Sequence, residues 1–329
     1  MRAIVIESKG AEPRIVEDSE AEELLRAGEG SVELDVLHSS FNYKDGLALA
    51  GKGIVRSWPL IPGIDVVGRV AASASDEWRE GDVVVLNGDG LGETRNGGFA
   101  TRARVRPDAL VRLPEGISPD RAAAIGTAGF TAMLCVLALE DAGVEPGAGD
   151  LLVTGAAGGV GSVAISLLAG RGYRVVASTG RADEQGDYLR ELGAVDLIDR
   201  RELSEELGKP LQSQRWAGAV DSVGSTTLAN VLAQTGYGGA VAACGLAQGA
   251  DLPTTVMPFI LRGVTLAGAN SVDAPRTLRQ RAWKALAAEL DLAVLDGMTE
   301  TIGLAETIPH AERILAGRVR GRTVVDVNR

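Results

Sequence analysis

Two stretches of the chain combine residue types that could bind or turn over a small molecule. The first is Leu151-Leu152-Val153-Thr154-Gly155-Ala156-Ala157-Gly158-Gly159-Val160-Gly161-Ser162, which reads as a strand, a glycine-rich turn and a helix start. Glycines at 155, 158 and 161 let the backbone pass close to a pyrophosphate. Ala157, Gly158, Gly159, Val160 and Gly161 would face it with free N–H groups at the positive end of a helix dipole. Such a turn can also serve tight packing alone; its position between a strand and a helix, with a second strand following, favours dinucleotide binding. The second strand ends in Ser178-Thr179-Gly180-Arg181, with no carboxylate before Asp183. An Asp or Glu there would hold a ribose 2′-hydroxyl, whereas two hydroxyls and a fork-shaped guanidinium suit a 2′-phosphate. The cofactor expected is therefore NADPH/NADP+, the alternative being a turn with a solvated arginine. The other stretch holds Asn42 and Tyr43, where a strand passes into a short helix, and Asp65 after Pro62-Gly63-Ile64. A tyrosine near its reference pKa of about 10 can donate a proton at neutral pH, but Tyr43 could equally pack, and Asp65 could merely close a turn.

These residues need a scaffold, and the hydrophobic pattern supplies one. Residues 1–115 read as short strands: Met1–Glu7, Ser31–Leu37, Val66–Ala74, Asp82–Asn87, Phe99–Val105 and Leu110–Leu113. Ser118 then reads as an N-cap, with Pro119 at the first helical position. From there strands alternate with helices at the spacing of parallel βαβ units. The strands are Asp150–Thr154, Arg174–Ser178, Ala194–Ile198, Ala217–Ser222, Ala240–Cys244 and Val264–Gly268, with helices from Gly161, near Gln185–Leu192 and over Thr226–Gln234. Six such strands make a doubly wound α/β sheet. Ala274–Glu289 reads as an amphipathic helix and Thr323–Val327 as a closing strand.

Composition narrows the function classes. Among 329 residues, 33 Lys+Arg stand against 44 Asp+Glu, a net charge of −11, which argues against a nucleic-acid or anionic-membrane surface. The longest strictly apolar run, Ala132–Leu139, has eight residues, short of the roughly 18 that span a bilayer. Two cysteines, Cys135 and Cys244, cannot form a disulfide framework and suit a reducing cytoplasm; both read as packing residues, with Cys244 at a strand end bordering the expected cofactor cleft. The expectation is a cytoplasmic protein acting on a small molecule, with no nucleic-acid or membrane partner.

Ser39-Ser40-Phe41-Asn42-Tyr43-Lys44-Asp45, Ile61-Pro62-Gly63-Ile64-Asp65, Gly126–Cys135 and Leu252–Arg262 resemble the medium-chain dehydrogenases/reductases, over essentially the whole chain. The chain is most similar to their zinc-independent, quinone-oxidoreductase-like branch, and within it to the AcuI/YhdH-type acrylyl-CoA reductases. The resemblance implies a GroES-like β-rich catalytic domain over residues 1–122 and 271–329 and a Rossmann NADP(H)-binding domain over 123–270. It implies Tyr43, Asn42 and Asp65 as the catalytic set, with Tyr43 facing the nicotinamide ribose and the substrate. It also places Arg200, Leu246, Ile260, Ser271 and Asn328 around the cofactor, and a homodimer is expected. Zinc-dependent relatives carry a Cys before x-x-Asp and a Gly-His-Glu; here those positions are Asn42 and Gly63-Ile64-Asp65, and Asn87–Arg106 has no cysteine for a structural lobe. A catalytic zinc takes three protein ligands, so no metal is expected, and His38 and His310 read as ordinary strand-end or surface histidines. The reaction implied is NADPH-dependent reduction of acrylyl-CoA to propionyl-CoA, with Arg318, Arg320 and Arg322 a candidate basic rim for the CoA phosphates. The alternatives are an NADPH:quinone or general enone/enal reductase, and a catalytically silent NADPH-binding structural or regulatory protein.

Overall fold

A computed structural model describes residues 1–329. Its contacts fall into two units, Met1–Phe130 with Ser271–Ala287 and Leu295–Arg329, and Thr131–Asn270 with Ala288–Val294.

The first unit begins with β1 (Arg2–Val5) paired antiparallel to β2 (Arg14–Glu17), then α1 (Asp18–Ala27). Acids in the first turn of α1 and Arg26 in its last suit the helix dipole. Strand β3 (Val32–Phe41) buries Val32, Leu34 and Val36, the alternation of a strand with one face on a core. It passes into α2 (Tyr43–Leu49), followed by β4 (Asp65–Ser73), β5 (Val83–Asn87), β6 (Arg102–Val105) and β7 (Val111–Arg112). Phe41 stacks on Phe99 with ring centres 5.7 Å apart, within a core that includes Leu34, Val66, Leu86 and Leu110.

Helix α3 (Pro119–Asp141) starts where the sequence placed it, with Ser118 O accepting the first helical hydrogen bond from Ala122 N at 2.9 Å. Its length and composition would let it cross a membrane, although its longest strictly apolar run has only eight residues; 89% of its most apolar stretch is buried inside the protein. It is also broken at Gly126, whose φ of 48° and ψ of −162° no helix contains.

The second unit alternates β8 (Asp150–Val153), α4 (Gly159–Gly170), β9 (Arg174–Thr179), α5 (Ala182–Glu191), β10 (Ala194–Asp199), α6 (Arg201–Ser204), β11 (Trp216–Asp221), α7 (Ser225–Gln234), β12 (Thr235–Ala243), α8 (Met257–Arg262) and β13 (Thr265–Gly268). The six strands pair in parallel in the order β10-β9-β8-β11-β12-β13, the doubly wound topology that the strand–helix spacing predicts. Its central strands are continuous apolar runs because helices cover both faces.

The chain continues through α9 (Arg276–Glu289), α10 (Leu292–Gly297), β14 (Thr299–Gly303), α11 (Thr307–Leu315) and β15 (Arg322–Asp326). β14 and β15 complete the first unit's sheet, in the order β14-β15-β3-β4-β5-β7 with β6 also on β3. Thr-Glu-Thr-Ile-Gly in β14 has no apolar alternation to betray a strand; it is held by its parallel pairing with β15.

Candidate active site

In the second unit, β8 ends at Val153 and the chain turns through Gly155, whose φ of 61° favours glycine and whose missing side chain leaves room for Ser222 Oγ. Gly158 N donates to Gly155 O at 3.0 Å and closes the turn. Helix α4 then begins with Gly158 at its N-cap and no side chain capping it; the first helical bond runs from Ser162 N to Gly158 O. The N–H groups of Gly159, Val160 and Gly161 thus have no intrahelical partner, and no acid sits in the first turn to repel an anion. A Cβ at Gly161 would collide with the Gly155 carbonyl, so the helix seats against the turn only because no side chain intervenes. Ala157 is buried beneath the turn, and Gly158 is exposed on it. This cradle fits a dinucleotide pyrophosphate.

At the end of β9, Ser178 and Thr179 are buried while Gly180 and Arg181 reach the surface. Thr179 Oγ1 accepts from Arg181 N at 3.2 Å, and Thr179 O accepts from Arg200 N at 3.0 Å. The Arg200 guanidinium lies across Gly180, so that a Cβ there would sit 2.7 Å from its Nε. Asp199 is engaged by Arg201, with bonds of 2.6 and 3.0 Å that hold its carboxyl down at about 2. Arg200 makes no ion pair of its own. Two arginines therefore flank a glycine at a strand end without a carboxylate, a donor set for a phosphate monoester.

The first unit brings Asn42 and Asp65 together and leaves Tyr43 outside their cluster. Asp65 is 1% exposed, and its carboxylate accepts five hydrogen bonds. Oδ1 accepts from Asn87 Nδ2 and Thr127 Oγ1, each at 2.6 Å, and Oδ2 from Asn42 Nδ2 at 2.8 Å, Thr127 N at 2.9 Å and Ser40 Oγ. The break at Gly126 makes this possible. It exposes Thr127 N at the start of the second helical segment, and a Cβ on Gly126 would lie 2.9 Å from Asp65 Oδ2 and 2.8 Å from Arg322 Nη2. Asn87 is itself oriented by Trp283 Nε1, which donates to its Oδ1 at 3.0 Å. Asn42 caps α2: its backbone N donates to Asp45 Oδ2 at 2.8 Å, and its amide Nδ2 reaches the same oxygen at 3.1 Å. Arg322 Nη1 donates to Asn42 Oδ1 at 3.3 Å, which fixes the orientation of the amide between two carboxylates. Burial first, then the charge of Asp65, push Asp45 up to about 7 against the hydrogen bonds from Asn42 and Ile64.

This geometry revises the expected roles. With five donors on its oxygens, Asp65 has no free edge for a substrate, and Asn42 is spent on its neighbours; both position rather than touch. Tyr43, at the first position of α2 and 49% exposed, presents its ring outward. Arg322 is buried, donating to Ala124 O at 2.6 Å, and so leaves the expected basic rim, in which only Arg318 and Arg320 are exposed. His310 is a core residue, its ring edge-on to Phe41 at 4.8 Å, and burial pulls its pKa down. Leu246 and Ile260 expose apolar side chains in the second unit. Ser271 O accepts from Arg279, and Asn328 Nδ2 donates to Val36 O at 3.2 Å. No three His, Cys, Asp or Glu side chains converge as metal ligands would. Ser40 and Thr127 lie in the Ser39–Asp45 and Gly126–Cys135 motifs but, like Asn87, carry no local signal of a shared partner; only Asp45, three residues after Asn42, carries one, as a capping-box acid.

Residues 28–115 match the family model described as Alcohol dehydrogenase GroES-like domain, and residues 159–289 the model described as Zinc-binding dehydrogenase. A GroES-like unit with a doubly wound nucleotide-binding sheet defines the class, and the chain belongs to the medium-chain dehydrogenase/reductase family. Within it the chain falls in the quinone-oxidoreductase-like branch, where the zinc-ligand positions of other members hold Asn42 and Ile64. It is 52% identical, over 92% of its length and 93% of the relative's, to the Probable acrylyl-CoA reductase AcuI of Escherichia coli. The structure of E. coli YhdH with bound NADPH matches with a TM-score of 0.94 at 49% identity, covering 99% of this chain and 100% of that one. The Putative quinone oxidoreductase YhfP of Bacillus subtilis is 46% identical over 89% of each chain, and the B. subtilis yhfP structure with NAD bound matches with a TM-score of 0.92 at 42% identity, covering 99% of both chains.

Proposed function

We propose that this chain reduces the activated carbon–carbon double bond of a short acyl-CoA, converting acrylyl-CoA to propionyl-CoA with NADPH as reductant. The observation that carries this reading is the 52% identity to an acrylyl-CoA reductase along nearly the full length of both chains. The choice of NADPH is supported by Arg181 and by the ion-pair-free Arg200 beside Gly180. When bound, NADPH supplies the hydride. The acceptor takes it at its β carbon, negative charge develops on the thioester oxygen, and the α carbon must be protonated. The Tyr43 hydroxyl is the donor proposed for that end of the substrate and for the nicotinamide ribose. Asn42 and Asp65 act behind it by fixing the first turn of α2.

A second reading, reduction of quinones, is supported by the similarity to YhfP. Initial rates of NADPH oxidation with acryloyl-CoA, crotonyl-CoA and a simple quinone separate the two. Acryloyl-CoA should turn over fastest; a faster quinone would replace the acyl-CoA reading, and no turnover with any acceptor would leave a silent NADPH-binding protein. We further propose a cytoplasmic homodimer. Its support is the edge strand β13, whose outer backbone groups are unpaired, next to exposed Val256, Ile260 and Leu261. Sedimentation velocity giving a monomer at micromolar concentration would remove it.

A further inference from the structure

Helix α9 has one buried face, formed by Arg279, Ala282, Trp283 and Leu286, which are neighbours at helical spacing. That face begins with a charge. Arg279 is 2% exposed, and its guanidinium donates to four backbone carbonyls. Nε reaches Ala274 O at 2.8 Å and Nη1 reaches Asn87 O at 2.6 Å, while Nη2 reaches Val272 O at 2.8 Å and Ser271 O at 3.2 Å. Its Cζ lies over the Phe130 ring, 5.6 Å from the centre. Burial lowers its pKa, and the charges of Asp89, Asp273 and Asp65 oppose that effect.

The four carbonyls belong to two segments that meet backbone to backbone. A Cβ on Gly88 would stand 2.7 Å from Val272 Cα, and Asp89 N donates to Val272 O at 3.1 Å. One turn further along α9, Trp283 Nε1 donates to Asn87 Oδ1 at 3.0 Å, and Asn87 Nδ2 donates to Asp65 Oδ1 at 2.6 Å. Arg279 therefore holds the main chain of Asn87, and Trp283 holds its side chain.

We infer that α9 positions the site through these two residues: the Arg279 fork sets residues 271–274 against residues 87–89, and Trp283 aims Asn87 at Asp65. Both act through the groups they hold, not on the substrate. The set of bonds needs a guanidinium, because its planar fork offers five N–H groups from three nitrogens, whereas a lysine offers a single nitrogen. The clamp stands on the hydrogen bonds alone. Its use rests on the reading above, with Ser271 facing NADPH and with Asp65 fixing the first turn of α2 behind Tyr43.

The test compares Arg279→Lys, Trp283→Phe and Leu286→Ala in the full chain, well below the melting temperature of each. Leu286 lies on the same buried face, and its truncation lowers stability without touching either segment's carbonyls. Amide exchange reads the clamp. Asp89 N should exchange about tenfold faster in Arg279→Lys than in Leu286→Ala, since its acceptor is no longer fixed. Steady-state kinetics and NADPH fluorescence read its use. Arg279→Lys should weaken NADPH binding about tenfold. Trp283→Phe loses one hydrogen bond and keeps the packing, so kcat should fall about threefold to tenfold with NADPH binding within about twofold of wild type. Leu286→Ala should leave both within about twofold. Unchanged exchange at Asp89 in a folded Arg279→Lys would overturn the clamp. Faster exchange with unaltered NADPH binding, or equal weakening in Leu286→Ala, would make Arg279 a residue of stability only and overturn its positioning role. If Arg279→Lys does not fold, Trp283→Phe decides, and a wild-type kcat there overturns the inference. A wild-type chain that binds no NADPH would overturn the cofactor reading and the use of the clamp together, and the exchange difference would still decide whether the clamp exists.

Discussion

The cluster around Asp65 in the first unit and the glycine-rich turn in the second both prepare polar groups for chemistry, by opposite means. Around Asp65 the polar groups find partners inside the protein: five donors meet one carboxylate, and Asn42 bridges it to Asp45. In the turn, side chains are absent, and the N–H groups at the start of α4 find no partner within their helix. A fully satisfied buried network rigidifies its surroundings and is costly to leave half made. Unsatisfied backbone donors at a helix start are where an anion gains most. The first arrangement holds a shape, with Tyr43 exposed outside it, and the second offers its donors outward.

Breaking the first arrangement should give the largest effect. Asp65→Ala strands Ser40, Asn42, Asn87 and Thr127 as buried donors, and the expected loss is about 3–5 kcal/mol of stability. Urea denaturation would register this as a lower midpoint at nearly unchanged slope. A loss below about 1 kcal/mol would mean that the network relaxes and does not hold α2 in place.

That network was also the part hardest to see in the sequence. The glycine turn and the strand end at Ser178–Arg181 could be read because their residues are neighbours along the chain and the chemistry follows from spacing. That six strands alternate with helices in a doubly wound sheet followed from the same local alternation, whereas their order in the sheet is a finding of the structure. Asp65 stood out as a residue, but its donors come from β3, β5 and the break in α3, and no periodicity links them. Arg322 misled for the same reason: beside Arg318 and Arg320 it looks solvated, and only the fold turns it inward onto Asn42.

Sharpening the second arrangement takes smaller changes. Arg181→Ala or Arg200→Ala should each remove a charge-assisted contact of about 1.5–3 kcal/mol, raising the NADPH Michaelis constant roughly tenfold to a hundredfold with NADH little changed. Equal weakening of both cofactors would show that the arginines do not read the 2′-phosphate. Gly161→Ala tests the turn itself. Its Cβ would press on backbone rather than on a yielding side chain, so a cost of about 1–3 kcal/mol in stability is expected, with NADPH and NADH weakened together. The three variants thus separate backbone recognition, which both cofactors share, from phosphate recognition, which only one does.

The gentlest probe returns to the first unit through pH. Asp45 takes its proton near 3.8 when unfolded and at about 7 in the fold, chiefly because it is buried and secondly because Asp65 is charged beside it. Between about pH 4 and pH 7 the folded chain therefore holds a proton that the unfolded chain has released. Stability falls as pH rises through that window, by at most ~1.4 kcal/mol per unit from this group, and levels off above it. His310, whose pKa is lowered on folding, acts in the opposite sense over part of the same range, so the raw melting curve mixes the two. Asp45→Asn removes the titration and keeps only one of the two acceptor oxygens, so it loses the hydrogen bond from Asn42 N or from Ile64 N. That loss does not vary with pH, and the pH-dependent part of the difference in melting temperature between wild type and variant isolates the titration. That difference should grow in favour of the variant from pH 4.5 to pH 7 and then hold constant. A difference that is flat across the window would mean that Asp45 is ionised throughout, and that the amide of Asn42 holds two charged carboxylates rather than one charged and one neutral.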